Sequence, residues 1–135
     1  LFAIELYIRT IALSCLRVNN QNKTSGEPVP LYRKFGNTIV SFSALGFGVM
    51  RMPKDEDQVI QPLHRAMDLE VNYIDTAPGY EESELVVGKA LASYTPTAPV
   101  YMSTKNSLEG NTPEGWRVRL ERSLTRMQVS KIHFY

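Results

Sequence analysis

Val71-Asn72-Tyr73-Ile74-Asp75 is followed, after a loop, by Ser83-Glu84-Leu85-Val86-Val87-Gly88-Lys89-Ala90-Leu91. The first run reads as a strand that ends in a carboxylate. The second reads as a helix, with Leu85, Gly88 and Leu91 in one stripe. The same pairing recurs on both sides. Ala44-Leu45-Gly46-Phe47-Gly48 is a short strand with no polar residue, as expected where both faces are covered, and residues 55–69 follow as a helix. Val100-Tyr101-Met102-Ser103 is a strand running into Thr104-Lys105. Thr112-Pro113 then sets a capping hydroxyl before a proline at the first helical position. Trp116, Leu120, Leu124 and Met127 form the stripe of that helix, and Lys131–Tyr135 begins another strand.

Strands thus start near 44, 71, 100 and 131, at gaps of 27, 29 and 31 residues. Alternation of strand and helix at that period predicts right-handed βα units around a parallel sheet. No GxGxxG opens the first helix, so a (β/α)8 TIM barrel fits better than an open dinucleotide-binding sheet. Upstream, Tyr32–Phe35 and Ile39–Phe42 flank Gly36-Asn37 and predict a hairpin. A barrel takes about 250 residues. Residues 31–135 supply a hairpin and about three and a half βα units of a partial barrel, with an uncovered inner face and two bare sheet edges. The expectation is a chain that folds poorly alone or self-associates through that open face.

Within the first helix, Asp55 and Gln58 read as a capping box, with Ile60, Leu63 and Met67 at helical spacing. Pro62 interrupts that helix, at a cost of roughly 3 kcal/mol or a kink.

The 135 residues carry 15 Lys+Arg and 14 Asp+Glu, a formal net charge of +1. This balance gives no electrostatic draw toward nucleic acid or an acidic membrane. One cysteine, Cys15, excludes an internal disulfide framework and a zinc site built from several thiolates; no metal site is expected. Residues 1–30 read as a leader or linker. Leu1–Leu16 is apolar but interrupted by Glu5 and Arg9, and is shorter than the roughly 20 residues of a membrane span.

Three ionisable residues fall where a barrel concentrates function. Asp75 ends one strand, Tyr80 lies in the loop after it, and Lys105 ends the next, all toward the C-terminal rim. Neighbouring strands lie about 4.8 Å apart, so Asp75 and Lys105 can pair. An ammonium near a phenol favours the phenolate, by up to about 4 kcal/mol at 4 Å and an effective dielectric near 20. Such a tyrosine can protonate a carbonyl oxygen while hydride reaches the carbon. The plainer alternative is a structural ion pair beside an exposed phenol. Arg117, Arg119, Arg122 and Arg126 fall mainly opposite the Trp116 stripe and read as a solvated face rather than a nucleic-acid surface. His64 reads as a surface residue of the outer helices.

The runs LGFGVMRMP (45–53), DTAPGYEESELVVGKAL (75–91), MSTK (102–105) and ERSLTRMQ (121–128) resemble, in that order, the aldo-keto reductases, and the GFGVMRMP form resembles a bacterial-type branch. The resemblance implies a barrel plugged by the hairpin and an oxidoreductase that reduces small aldehydes or ketones with NADPH in the cytoplasm. It also implies that Asp75, Tyr80 and Lys105 match three of four catalytic positions, with Tyr80 as proton donor. Gly48, Val49, Met50 and Asp75 match cofactor-binding positions at the ribose and nicotinamide. The fourth catalytic position, a histidine, and the phosphate-gripping residues are expected beyond Tyr135. His133 matches a position usually held by aspartate and reads as a non-catalytic strand residue. Ile39, Glu70 and Glu81 stand where the family has glycines. The substitution at Glu81, beside Tyr80, leaves open a non-catalytic nicotinamide-binding regulatory subunit.

Overall fold

The computed structural model describes residues 31–107 and 112–135, so the leader or linker read in residues 1–30 lies outside the described residues. The chain forms β1 (Tyr32–Lys34), β2 (Ser41–Ser43), β3 (Phe47–Gly48), α1 (Asp57–Asp68), β4 (Tyr73–Asp75), α2 (Ser83–Ala92), β5 (Tyr101–Ser103) and α3 (Pro113–Met127). β1 and β2 are an antiparallel hairpin, and β3, β4 and β5 form a parallel sheet in that order. This is a segment of an α/β barrel, with the strands in sequence order and a helix after each.

Side-chain alternation along the strands separates two faces. Ile74 and Met102 pair in register and point to the helices, where they join Val59, Leu63 and Met67 of α1, Val86, Val87 and Ala90 of α2, and Met127 of α3. Burying each such side chain contributes roughly 1.5–3 kcal/mol. The opposite face carries Tyr73, Asp75, Tyr101 and Ser103. The hairpin packs there. Phe42 meets Tyr73, Tyr101 and Phe134 edge-on, with ring centroids 5.1, 5.2 and 5.3 Å away. Asn72 fastens the two parts: its Oδ1 accepts from Ser43 N at 2.8 Å, and its backbone N donates to Ser43 Oγ at 3.0 Å.

Local chemistry accounts for most boundaries. Gly36 (φ 53°) turns the hairpin, and Phe35 N donates across it to Val40 O at 2.9 Å. The Thr112 hydroxyl accepts from Gly115 N at 3.1 Å and caps α3. Asp55 receives Asp57 N and the Gln58 amide, both at 3.1 Å, although the helical residue before Asp57 is Glu56. The helix passes through Pro62 as one element. α1 and α3 end alike. Glu70 (φ 60°) and Gln128 (φ 55°) are left-handed, and the following residues bond back: Val71 N to Ala66 O at 2.9 Å, Val129 N to Leu124 O at 3.1 Å. Ile39, the third glycine position in the resemblance, lies wholly exposed in the hairpin turn and is not left-handed.

Five expectations are corrected. The buried face of α2 is Ser83, Glu84, Val86, Val87, Gly88 and Ala90, not the Leu85–Gly88–Leu91 stripe. The strand read at 44–48 spans only Phe47–Gly48, and Gly48 is exposed, with nothing over it among the described residues. Lys131–Tyr135 makes one bridge, Phe134 to Ser103, rather than a strand. Trp116 remains 43% exposed; only Ser123 and Met127 of α3 are buried, because only its C-terminal half crosses α2. His64 is half-buried between helices: Nε2 bonds Ala90 O at 2.9 Å and its ring stacks on Tyr94 at 4.9 Å.

Candidate active site

Gly48, Asp75 and Ser103 are mutual register partners at the C-terminal ends of β3, β4 and β5. The ladder extends one residue past each strand: Val49 N donates to Asp75 O and Thr76 N to Ser103 O, both at 2.9 Å, and Thr104 N to Phe134 O at 3.0 Å. These bonds fix the rim. Lys105 lies two residues past Ser103, so its side chain leaves the same face as that of Asp75, about 6.6 Å further along. The long stem folds back over that distance. Lys105 Nζ donates to Asp75 Oδ2 at 2.7 Å and to Thr76 O at 2.8 Å.

Tyr80 completes the group from the β4–α2 loop. Its N donates to Ala77 O at 3.1 Å, and its O accepts from Ser83 N at 3.0 Å, so the loop curls back over the rim. Lys105 Nζ lies over the ring, 4.9 Å from its centroid. An exposed cation–π contact of this kind contributes about 0.5–1 kcal/mol. The ammonium therefore rests against the ring face. The Lys105 pKa is raised: burial pulls it down, but the hydrogen bond and charge of Asp75, then those of Tyr80, outweigh it. Glu81, next to Tyr80, adopts φ 52°.

The three residues expected to cooperate are thus brought together. Of the turn assigned to the cofactor, Gly48 and Met50 are exposed, and Met50 is 54% accessible. Val49 is buried in the core at 3%, so it presents only backbone to the rim. A Cβ at Gly48 would meet nothing within 4 Å. His133 lies away from this rim. Its Nδ1 accepts from Met102 N at 3.1 Å, and burial, then the charge of Lys131, lowers its pKa.

Sequence reading missed Glu84. Its side chain is fully buried, and it accepts from Thr104 Oγ1 at 2.8 Å and Arg126 Nε at 3.1 Å. Arg126 is consequently not part of a solvated arginine face; it also donates to Glu81 O at 3.0 Å. The available signal was a charged residue in phase with Val87, Gly88 and Leu91 on an otherwise apolar stripe. Among the described residues, no His, Cys, Asp and Glu group could hold a metal, and no helix is long and apolar enough to cross a membrane.

Known proteins are similar to this chain over most of its length. The chain is 29% identical over 120 residues to the aldo-keto reductase YhdN of Bacillus subtilis, an alignment covering 77% of this chain and 36% of that protein. The holo form of an aldo-keto reductase from Bacillus halodurans superposes with a TM-score of 0.60 at 30% identity, covering 76% of this chain and 38% of that one. An aldo/keto reductase from Klebsiella pneumoniae, solved with NADP and acetate, gives a TM-score of 0.61 at 25% identity, covering 68% and 34%. The chain therefore spans little more than a third of the length of these relatives. The profile of the Aldo/keto reductase family matches residues 44–135, and the chain belongs to that family.

Proposed function

We propose that this chain supplies the proton-donating part of a cytoplasmic, NADPH-dependent reductase of small aldehydes or ketones. The observation that carries the reading is Lys105 Nζ, held by Asp75 Oδ2 at 2.7 Å and lying over the Tyr80 ring. A bound nicotinamide supplies hydride to the carbonyl carbon. Gly48 and Met50 offer it an open surface beside Asp75. The Tyr80 hydroxyl gives its proton to the carbonyl oxygen, and the Lys105 ammonium stabilises the oxyanion left on the phenol. Asp75 keeps that ammonium charged and aimed. Solvent then restores the phenolic proton.

The relatives' remaining length would carry the rest of the barrel, so the 135 residues alone are expected to turn over no carbonyl. Two copies would associate through the side of this partial barrel that the hairpin leaves open, where Gly48 and Met50 are exposed. The test is Tyr80→Phe in a polypeptide carrying the remaining βα units. We expect carbonyl-dependent NADPH oxidation to fall by about 10²–10⁴-fold, with NADPH affinity unchanged. Retained turnover would overturn the assignment. NADPH binding with no carbonyl reduced by the unsubstituted protein would favour a non-catalytic nicotinamide-binding subunit instead.

A further inference from the structure

We propose that Glu84 is a positioning residue for Lys105, acting through Thr104 and held in place by Arg126. The significance of Lys105 rests on the reductase reading above; the placement argument does not.

Two consecutive residues in the first turn of α2 reach the two strand ends that carry the charged pair. Ser83 Oγ bonds Thr76 Oγ1 at 2.6 Å, and Thr76 adjoins Asp75. Glu84 Oε1 accepts from Thr104 Oγ1 at 2.8 Å, and Thr104 adjoins Lys105. Thr76, Ser83 and Glu84 are fully buried, and Thr104 is 3% exposed. The same turn follows directly on the Tyr80 loop, since Ser83 N donates to Tyr80 O. One helical turn is therefore the common reference for all three site residues.

A buried carboxylate persists as an anion only if it is paired. Arg126 Nε supplies the pairing at 3.1 Å from Glu84 Oε2, and Arg126 also grips Glu81 O in the Tyr80 loop. An apolar residue at position 84 would fill the core without any such arrangement. The carboxylate instead ties the Thr104 side-chain hydroxyl, beside Lys105, to a cation that also holds the loop of Tyr80.

The test is competitive labelling of the lysines in the full chain with a trace amine-acylating reagent, read residue by residue by peptide mass spectrometry. Lys89 is the internal reference, because its ion pair with Glu56 is separate and its exposure is similar. Thr104→Val removes one hydroxyl and leaves the Glu84–Arg126 pair intact. It is expected to speed Lys105 acylation several-fold relative to Lys89, as the lysine is released from Asp75. Glu84→Gln keeps an acceptor for Thr104 and is expected to retain protection, whereas Glu84→Ala loses it. Should Glu84→Ala fail to fold, Thr104→Val decides alone. An unchanged Lys105 to Lys89 ratio in Thr104→Val overturns the proposal. So does an equal rise at all lysines, which would mean that the bond holds the fold and not Lys105. Labelling requires no turnover, so this result stands apart from any failure of the reductase reading.

Discussion

Gly88 of α2 packs directly against the main chain at Arg126 of α3: a Cβ on Gly88 would lie 2.7 Å from Arg126 O and 2.9 Å from Met127 O. Both obstacles are main chain at the end of α3, so neither can swing aside. The contact brings Arg126 to Glu84, one turn earlier on α2, and so links core packing to the rim. Gly88→Ala should destabilise the chain by about 1–3 kcal/mol, as overpacking does, despite alanine's better helix propensity. Urea unfolding followed by circular dichroism reads this directly. A stabilised Gly88→Ala variant would show that the helices sit further apart.

The left-handed residues that close α1 and α3 are glutamate and glutamine rather than glycine. Glu70 N bonds Met67 O at 2.9 Å and Val71 N bonds Ala66 O at 2.9 Å, a pair of bonds that requires φ near 60° at residue 70. A β-carbon there costs about 1–2 kcal/mol. Part of that returns as the greater unfolded-state entropy of glycine. Glu70→Gly should therefore raise stability by about 1 kcal/mol. Because the Tyr32 hydroxyl bonds the carbonyl of residue 70, that contact survives the substitution. A higher urea midpoint at unchanged slope is the expected observation.

What the sequence makes legible follows the range of the interactions involved. Gly36-Asn37 and Thr112-Pro113 act over a few residues, and the hairpin and the start of α3 stand where those pairs put them. Asp75 and Lys105 end adjacent strands of one parallel sheet, so the βα period alone brings them to one rim. The role of Glu84 was not legible because its partners, Thr104 and Arg126, lie 20 and 42 residues away in other elements. Its place in phase with Gly88 and Leu91 marks it as inward-facing, but nothing local names the groups that satisfy its carboxylate. Lys131–Tyr135 read as a strand on composition, but a strand needs neighbours, and among the described residues only Ser103 bridges it.

His133 should make the chain sensitive to acid. Burial, then the Lys131 charge, depresses its pKa below the usual 6.5, and its Nδ1 must stay unprotonated to accept from Met102 N. A base with a depressed folded-state pKa contributes stability above its unfolded pKa and loses that contribution as pH falls. The urea midpoint should drop between pH 7.5 and 5.5. His133→Gln should flatten the drop while lowering the midpoint at pH 7.5, because the Met102 bond is weakened.

Lys105 predicts the opposite limb. Its folded-state pKa lies above the ordinary 10.5, so its contribution is complete below that value and is lost as pH rises through the folded-state value. The pair is partly exposed, at 46% for Lys105 and 33% for Asp75, so screening by water and salt keeps the effect modest. Tyr32 and Tyr94 also have raised pKa values, the first through burial and then Glu70, the second through its bond to Asp68, so they erode stability over the same alkaline range. Asp75→Asn separates the contributions. It removes the charge that holds Lys105 protonated and leaves both tyrosines untouched. The fall in urea midpoint from pH 9 to 11 should be shallower in Asp75→Asn than in the unsubstituted chain, and 1 M salt should narrow the difference. Parallel curves for the two proteins would mean that the Asp75–Lys105 contact adds nothing to stability, leaving its geometry to be explained by the chemistry at the rim alone.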